Sequence, residues 1–349
     1  NNSFFEEQSA QEYPRMRPMQ ATGLARGHLS PLHAVPPCRR HGIICKGYAR
    51  TQTPLLESLK PLNRALESGT NDEAVAAAQE LKESGVLCLF GEGRQVPKRP
   101  YTLEEVRLNR IDPAALLSPV DATMNGVRTG LQAVAASGLL ALLYGGAVDV
   151  SGAAVLVLLG ATLAVADQVG TGGGVEALLL DLAARKVSGS YASRVATHEA
   201  GHFLVAYLLG LLPRSYTLSS WDAFQAQGRL GVQAGTEFCD GDFQREVASG
   251  KLSSNSLDAF TCLGLAGVCA ETVVYGRSEG GLADIAQLDS LLRRINFNQA
   301  KADDQVRWSA INDVVLLRRH AAAHAALTKA MQAGKSVAEC IAAIEAAEA

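Results

Sequence analysis

The sequence is poor in aromatic and charged residues and has no paired-cysteine motif. Aromatic residues make up 5% of its 349 positions and charged residues 19%, which together with the abundance of Ala, Leu and Gly favours a helical protein. The seven cysteines, at positions 38, 45, 88, 239, 262, 269 and 340, include no CxxC pair. That spacing argues against a zinc ribbon or a disulfide scaffold and predicts reduced, buried thiols. The net charge of −3 gives no electrostatic indication of a nucleic-acid partner.

Acidic residues are missing from Tyr13 to Leu56, while arginines and a lysine are spread through this stretch among Ser, Thr, Ala and Pro. An acid-free, Arg-bearing N-terminus without a compact apolar core is typical of an organelle transit peptide rather than a secretory signal. We therefore expect residues 1–52 to be a disordered targeting segment, with Met16 or Met19 as a candidate start. An ordinary disordered tail is the alternative, and the composition does not distinguish plastid from mitochondrion.

Residues 53–126 show helical patterning but no chemistry. Residues 54–84 have helical periodicity and i,i+4 charge pairs, and Thr102 with Glu105 forms a capping-box pattern. We expect a small helical module or a connector that faces solvent.

Charge is then absent from two long runs, residues 131–148 and 150–166, with only Asp149 between them. Each run is near the lower length limit for a membrane span. We predict a two-helix membrane hairpin over residues 127–167, which would leave both flanks on one side of the membrane. The alternative is a buried helical hairpin, because Ala and Gly are weakly hydrophobic and Asp149 would be costly at mid-bilayer.

Two glycine-containing stretches resemble phosphate-binding loops without meeting their requirements. The three glycines at 172–174 follow no strand pattern and precede no GK[ST], so we expect a flexible hinge there. The AGKS sequence at 333–336 has Lys329 where a Walker loop needs Gly. The sequence therefore contains no nucleotide-binding module.

The stretch from 190 to 213 contains an HExxH motif, from His198 through Glu199 to His202. Two histidines four positions apart on a helix project from the same face, so both can bind one metal ion. The glutamate next to the first histidine can hold a water molecule at that metal. The residues that follow are mainly apolar and Pro213 marks the helix end, so the polar trio predicts a Zn²⁺ site with Glu199 as its catalytic residue.

A third ligand is needed, because HExxH supplies only two. Residues 257–275 are predicted to form a buried helix carrying Glu271, with Gly276 as its stop. Asp284 follows a glycine turn and is suited to be the third metal ligand, and Glu271 to orient a ligand histidine. The alternatives are a helix N-cap for Asp284 and a structural hydrogen bond or ion pair for Glu271.

The segments on either side of this helix carry weaker signals. `YTLSS` and `LGVQAG`, between the zinc helix and residue 255, are interpreted as short strands. The chain is expected to end in helices at about 307–332 and 336–346. His320 and His324 are also four apart, but no acid lies between them, so we interpret them as part of a solvated helix face.

Three motifs that occur in this order, `HEAGH`, `AGVCAE..VYG` and `GGLADI`, resemble the protease domain of FtsH-type membrane zinc proteases. The resemblance covers about residues 190–346 and is greatest for the ATPase-less FtsH-like proteins of plant and algal chloroplasts. It implies that His198, His202 and Asp284 bind zinc. Two features depart from the family: the AAA ATPase module is missing, and Asp289 replaces a threonine.

Site-2-type intramembrane proteases share a similar zinc helix. Their LDG motif is absent, however, and no uncharged run long enough to span a bilayer follows residue 213. The FtsH-like interpretation is therefore preferred.

The expected fold is mainly α, with an FtsH-like zinc-peptidase domain at 168–349 after the membrane hairpin. The expected function is a membrane-anchored zinc metalloendopeptidase of the chloroplast, in the thylakoid or envelope, acting on protein substrates without its own ATPase. A separate ATPase or FtsH-type partner would supply unfolding, within a homo- or hetero-oligomer in contact with membrane lipid. The alternative is a non-catalytic FtsH-like scaffold or assembly subunit of a membrane complex, which the missing ATPase favours and the intact Glu199 disfavours.

Overall fold

The computed structural model describes residues 39–40, 43–44, 52–231, 233–239, 245–246, 249 and 252–348. The chain divides into two units, Asn1–Lys46 and Gly47–Ala349. In the first unit, β1 (Arg39–Arg40) pairs antiparallel with β2 (Ile43–Ile44). The expected targeting segment otherwise lies almost entirely outside the described residues, as do Cys38 and Cys45.

Five short helices open the second unit: α1 (Gln52–Ser58), α2 (Lys60–Ser68), α3 (Asn71–Glu83), α4 (Leu103–Leu108) and α5 (Pro113–Leu117). The capping box of Thr102 and Glu105 is confirmed, and Thr70 forms another with Glu73. The apolar residues of this segment do not form a core of their own. They share one core with the helix that carries the HExxH motif and with the C-terminal helices, and include Leu55, Leu59, Leu62, Leu66, Leu87, Phe90, Val106, Ile111 and Leu116.

The two uncharged runs lie largely within α6 (Ala122–Tyr144) and α7 (Val150–Thr171), called the hairpin helices below. At 1.5 Å per residue they are about 34 and 33 Å long, enough to cross a hydrocarbon core of about 30 Å. In the most apolar 18-residue window of each, 0% and 6% is buried inside the protein. Their exposed apolar side chains include Leu131, Val134, Leu140, Val155, Leu156, Val157, Leu158, Leu159, Leu163 and Val165.

Residues on both sides of the hairpin helices, Leu116 before them and Ala200 after them, belong to the same core. The chain therefore leaves the globular body at Asp121 and returns to it after Thr171. A pair of helices inserted in a bilayer from this body would have both outer ends on one side, with the 145–149 turn on the other.

The glycine stretch after α7 forms a hydrogen-bonded corner, where the sequence suggested a hinge. Gly172 and Gly173 have φ of 66° and 82°, a conformation that favours glycine. The Asp167 carboxylate accepts the backbone N–H groups of Val175 and Glu176, each at 3.0 Å. These bonds cap the next helix, α8 (Gly174–Val187), and fix its start to the end of α7.

The zinc-motif helix is α9 (Tyr191–Leu209), and its interior is almost entirely buried. It leads into β3 (Pro213–Thr217), α10 (Ser220–Gln227) and β4 (Gly235–Phe238), with β3 and β4 antiparallel. The strand expected at 230–235 is therefore found later in the chain, where β4 covers `GTEF`. The first expected strand begins earlier than `YTLSS`, since β3 starts at Pro213.

The buried helix expected at 257–275 is confirmed as α11 (Ser254–Tyr275), ending at Gly276 with φ of 80°. It packs against α9. By length and composition α11 is a third helix able to cross a membrane, although 56% of its apolar window is buried inside the protein. Asp258 and Glu271 interrupt the apolar run of this helix, so its sequence predicts a buried helix and not a membrane span.

The remaining helices are α12 (Leu282–Arg294), α13 (Gln299–Arg319), α14 (Ala321–Gln332) and α15 (Val337–Ala347). The `AGKS` stretch is a turn in which Ser336 caps α15 in a capping box with Glu339. The prediction that His320 and His324 form a solvated face is wrong, since both are buried. His320 separates α13 from α14, and His324 Nε2 donates to the Thr197 carbonyl at 3.1 Å.

The mainly α fold predicted from the sequence is confirmed. Among the cysteines that the structure describes, the expectation of reduced thiols holds. Cys239, Cys262, Cys269 and Cys340 are buried, and Cys88 is partly buried.

Candidate metal centre

Helix α9 places His198 and His202 one turn apart on the face that meets α11. Their Nε2 atoms are 3.1 Å apart. His198 is buried and His202 is partly buried. Both rings therefore converge on one point at the edge of the core, as the i,i+4 spacing predicts.

Asp284 joins these two histidines from the first turn of α12. Its Oδ2 lies 3.1 Å from His198 Nε2 and 3.6 Å from His202 Nε2. The N-cap of α12 is Gly281, with φ of 97°, so Asp284 does not have the N-cap role considered as an alternative. The glycine turn lets the chain bend sharply enough to point this carboxylate at the histidines.

The three donor atoms fit one metal ion. In a tetrahedral site with zinc–ligand bonds of about 2.0–2.1 Å, neighbouring ligand atoms are about 3.3 Å apart. The observed separations of 3.1, 3.1 and 3.6 Å bracket that value. The structure describes no other group of three such donors as close together.

The outer nitrogen of each ring has its own acceptor. His198 Nδ1 donates to Glu271 Oε1 at 2.9 Å, and His202 Nδ1 donates to the Leu263 carbonyl at 2.8 Å. These partners assign the proton of each neutral ring to Nδ1, so the lone pairs of both Nε2 atoms face Asp284. Three electron-pair donors at this separation repel unless a cation lies among them, which favours a metal ion at this point.

The pKa values show the same preference for positive charge. Burial lowers the pKa of His198, but its hydrogen bonds with Asp284 and Glu271 outweigh burial and raise it to about 10. Burial raises the pKa of Asp284, but its bonds with both histidines hold it well below its usual range. His198 and Asp284 are therefore arranged to stabilise a positive charge between them, as proton or as metal.

Glu199 lies beside the ligands and is held by a residue of β4. Its Oε2 accepts the hydroxyl of Thr236 at 3.1 Å, and only 4% of the residue is exposed. Burial raises the pKa of Glu199, while His202 and His198 act in the opposite direction. A carboxylate whose proton affinity is raised in this way is suited to accept and return a proton.

Small residues allow α9 and α11 to approach closely enough to form the site. A methyl group added at Gly201, within the HExxH motif, would lie 2.5 Å from Ala270 Cβ. One added at Gly267 would overlap the imidazole ring of His198. These close contacts explain why the two motifs have glycine at positions 201 and 267.

A cleft of about 1100 Å³ opens onto the ligands. Thr236 of β4 lines one part of it, and the other parts include Met124 near the start of α6 and Gln168 near the end of α7. The candidate site therefore lies beside the ends of the hairpin helices that join the globular body.

The structure brings together all five site residues that the sequence identified: His198, Glu199, His202, Glu271 and Asp284. It adds Thr236 and the carbonyl of Leu263, which sequence reasoning missed. No local signal could have found the Leu263 carbonyl, because backbone groups carry no sequence mark. Thr236 lies in a mixed polar segment. Its hydrogen bond to Glu199 depends on how β4 pairs with β3, which the local sequence does not indicate.

Asp289, which replaces a threonine of the similar family, pairs with Arg293 one turn later at 2.8 Å on an exposed face. It therefore has a local partner on α12. Comparisons with known protein families, with curated proteins and with solved structures found no match to this chain. The resemblance to FtsH-type proteases thus depends on the three sequence motifs.

Proposed function

We propose that this chain is a membrane-anchored zinc metalloendopeptidase that hydrolyses peptide bonds of chloroplast proteins. One observation carries the proposal: His198, His202 and Asp284 point three donor atoms at one position, with Glu199 beside them at a cleft. Two imidazoles and a carboxylate suit catalytic zinc, which when bound supplies a Lewis acid and lowers the pKa of water.

Each residue of the site would have a separate role in the reaction. Glu199 accepts a proton from the attacking water and returns it to the leaving amine. Thr236 holds the Glu199 carboxylate toward the cleft, while Glu271 and the Leu263 carbonyl fix the orientation of the two rings. Each of these contacts exists before substrate binds, so little reorganisation is needed during reaction.

Membrane anchoring is proposed from the hairpin helices. Their length, their exposed apolar side chains and the shared core of their flanks together favour a hairpin inserted from one side. The chloroplast location is proposed from the acid-free N-terminal composition and the family resemblance.

Two imidazoles and a carboxylate also suit Fe²⁺. Glu199 favours hydrolysis, because a buried carboxylate beside the ligands provides the general base that peptide hydrolysis requires. Elemental analysis of the purified protein distinguishes the two metals.

The test is zinc content together with cleavage of an unstructured protein such as casein. The full chain in detergent is required, because residues 55–116 belong to the same core as the site. It is compared with Glu199→Gln, which removes the base, and with His202→Ala, which removes a ligand.

We expect one zinc per chain in the unmutated and Glu199→Gln proteins, less in His202→Ala, and cleavage by the unmutated protein alone. Zinc without cleavage in any variant would refute the self-sufficient peptidase and favour the non-catalytic scaffold. Absence of zinc from the unmutated chain would refute the metal site itself.

A further inference from the structure

We propose that the first hairpin helix positions the metal ligand His198 through a relay of four side chains: Thr123, Glu279, Arg194 and Glu271. The inference rests on the proposed function to the extent that zinc is the ion bound. It adds Thr123, Glu279 and Arg194 to the site as positioning residues, and it connects the membrane anchor to the metal centre.

The relay begins in the first turn of α6. The Thr123 hydroxyl donates to Glu279 Oε2 at 2.9 Å. The other oxygen of that carboxylate, Oε1, lies 3.4 Å from an Arg194 guanidinium nitrogen. One side chain of the hairpin is thus joined to the glycine turn that precedes the third ligand.

Arg194 carries the relay across to the metal centre. Its second guanidinium nitrogen donates to Glu271 Oε2 at 3.1 Å, and Glu271 Oε1 accepts from His198 Nδ1 at 2.9 Å. Arg194 also stacks on the Tyr275 ring, with its guanidinium carbon 4.4 Å from the ring centre. A planar guanidinium held on two carboxylates and one ring has little freedom to shift alone.

The charged side chains of the relay are mostly buried. The exposed fractions of the side chains are 15% for Arg194, 9% for Glu279 and 2% for Glu271. Charged pairs at such positions are screened much less than surface pairs. The backbone N–H of Glu279 also donates to Glu271 Oε2 at 3.0 Å, so the two acids are connected directly as well.

Thr123 lies at the point where the hairpin meets the globular body. Asp121 caps the helix there through the Met124 N–H at 2.7 Å, and Arg128 pairs with Glu176 of α8 at 2.9 Å. Beyond Arg128 the helix is uncharged, and its most apolar window is 0% buried inside the protein. A tilt or shift of α6 in its bilayer would therefore act on the metal site through this first turn.

The test measures the zinc dissociation constant by competition with a chelator, using the full chain in detergent micelles. Thr123→Val removes the hydroxyl and keeps the β-branched shape. Thr129→Val is the matched control, because the Thr129 hydroxyl bonds the Asn125 carbonyl of its own helix. Thr123→Ser retains a hydroxyl and should restore the relay.

We expect Thr123→Val to weaken zinc binding by about 3- to 10-fold, less than the roughly 10- to 100-fold typical when a group that contacts a metal ligand is lost. Thr129→Val and Thr123→Ser should bind zinc as the unmutated chain does. A role in general packing would lower the melting temperature of Thr123→Val and leave the zinc dissociation constant unchanged.

The double variant Thr123→Val with Glu279→Gln tests the order of the relay. If Thr123 acts through Glu279, the two losses in affinity will not multiply. Equal zinc affinities of Thr123→Val and Thr129→Val would overturn the relay while leaving the proposed peptidase intact. Failure of the unmutated chain to bind zinc would refute the proposed function, and the relay with it.

Discussion

The hydroxyl of Thr236 donates to the carboxylate of Glu199 across 3.1 Å, joining β4 to helix α9. Replacing Thr236 with Val removes this bond and keeps the side-chain shape. Because one hydrogen bond is worth about 0.5–1.5 kcal/mol, we expect kcat to fall by roughly 2- to 10-fold. Peptide hydrolysis at saturating substrate measures the effect, with zinc content unchanged.

Thr272→Val is the control for this substitution. The Thr272 hydroxyl bonds the Val268 carbonyl of its own helix at 2.8 Å, so its loss should leave kcat unchanged. Equal rates for the two variants would show that the contact with Glu199 has no part in the reaction.

The close approach of α11 to His198 gives a second prediction. A methyl group at Gly267 would occupy the space of the His198 ring. We expect Gly267→Ala to displace that ring and to abolish stoichiometric zinc binding, as measured by metal analysis after gel filtration. Gly138→Ala adds the same group to a hairpin helix where nothing lies within 4 Å, and should retain one zinc per chain.

Glu271 gives a third prediction, because it both accepts from His198 and pairs with Arg194. Glu271→Gln keeps the shape but removes the negative charge, which lowers the basicity of the ligand ring. We expect zinc affinity to fall by about 10- to 100-fold. Chelator competition measures this loss, and an unchanged affinity would contradict the role of Glu271 in orienting His198.

The site residues that the sequence identified share one property: each belongs to a helix or glycine turn whose local pattern sets its direction. The i,i+4 spacing of His198 and His202 on an apolar helix predicts their common face. Asp284 could be identified because a glycine turn precedes it and the metal needs a third ligand. Such inferences need no knowledge of how distant segments pack.

What sequence reasoning missed depends on tertiary contacts. His320 and His324 resemble a polar surface pair locally, yet both are buried. His324 lies on α14, which packs against α9, and it donates to the Thr197 carbonyl there, while His320 Nδ1 lies 3.5 Å from Glu348 Oε1. The leucines of the short helices between 53 and 126 pack in the main core, and their helical periodicity alone does not say which surface they cover. Local patterns indicate an apolar face and leave its partner undetermined.

The exposed face of the hairpin helices gives a fourth prediction. Leu158 is 69% exposed near the middle of α7. An arginine at the centre of a membrane helix costs about 2.5–3.5 kcal/mol on the insertion scale, so Leu158→Arg should shift the chain from the membrane to the soluble fraction. Carbonate extraction of membranes containing the expressed protein measures the distribution.

Leu108→Arg is the matched control, because Leu108 is 80% exposed at the end of α4, outside the hairpin. Its distribution should equal that of the unmutated chain. Release of both variants to the same extent would show that general hydrophobicity, and not the hairpin, holds the protein at the membrane.

Buried His324 gives a fifth prediction, on stability against pH. Burial lowers the pKa of His324, and its hydrogen bond to the Thr197 carbonyl only partly opposes this effect. The unfolded chain, with an ordinary histidine pKa of about 6.5, therefore binds more protons than the folded chain below that pH. The free energy of unfolding should fall as pH is lowered from about 6.5, by at most about 1.4 kcal/mol per pH unit for this one group.

His324→Gln isolates this contribution, because glutamine can still donate to the Thr197 carbonyl and does not titrate. With zinc present throughout, thermal unfolding of both proteins between pH 8 and pH 5 should show the difference in melting temperature shifting in favour of His324→Gln as pH falls. The other titrating groups, including the metal ligands and His320, are common to both proteins and cancel in the difference. A difference in melting temperature that stays constant from pH 8 to pH 5 would mean that His324 has the same pKa in the folded and unfolded chains. The burial of His324 against α9 argues against that outcome.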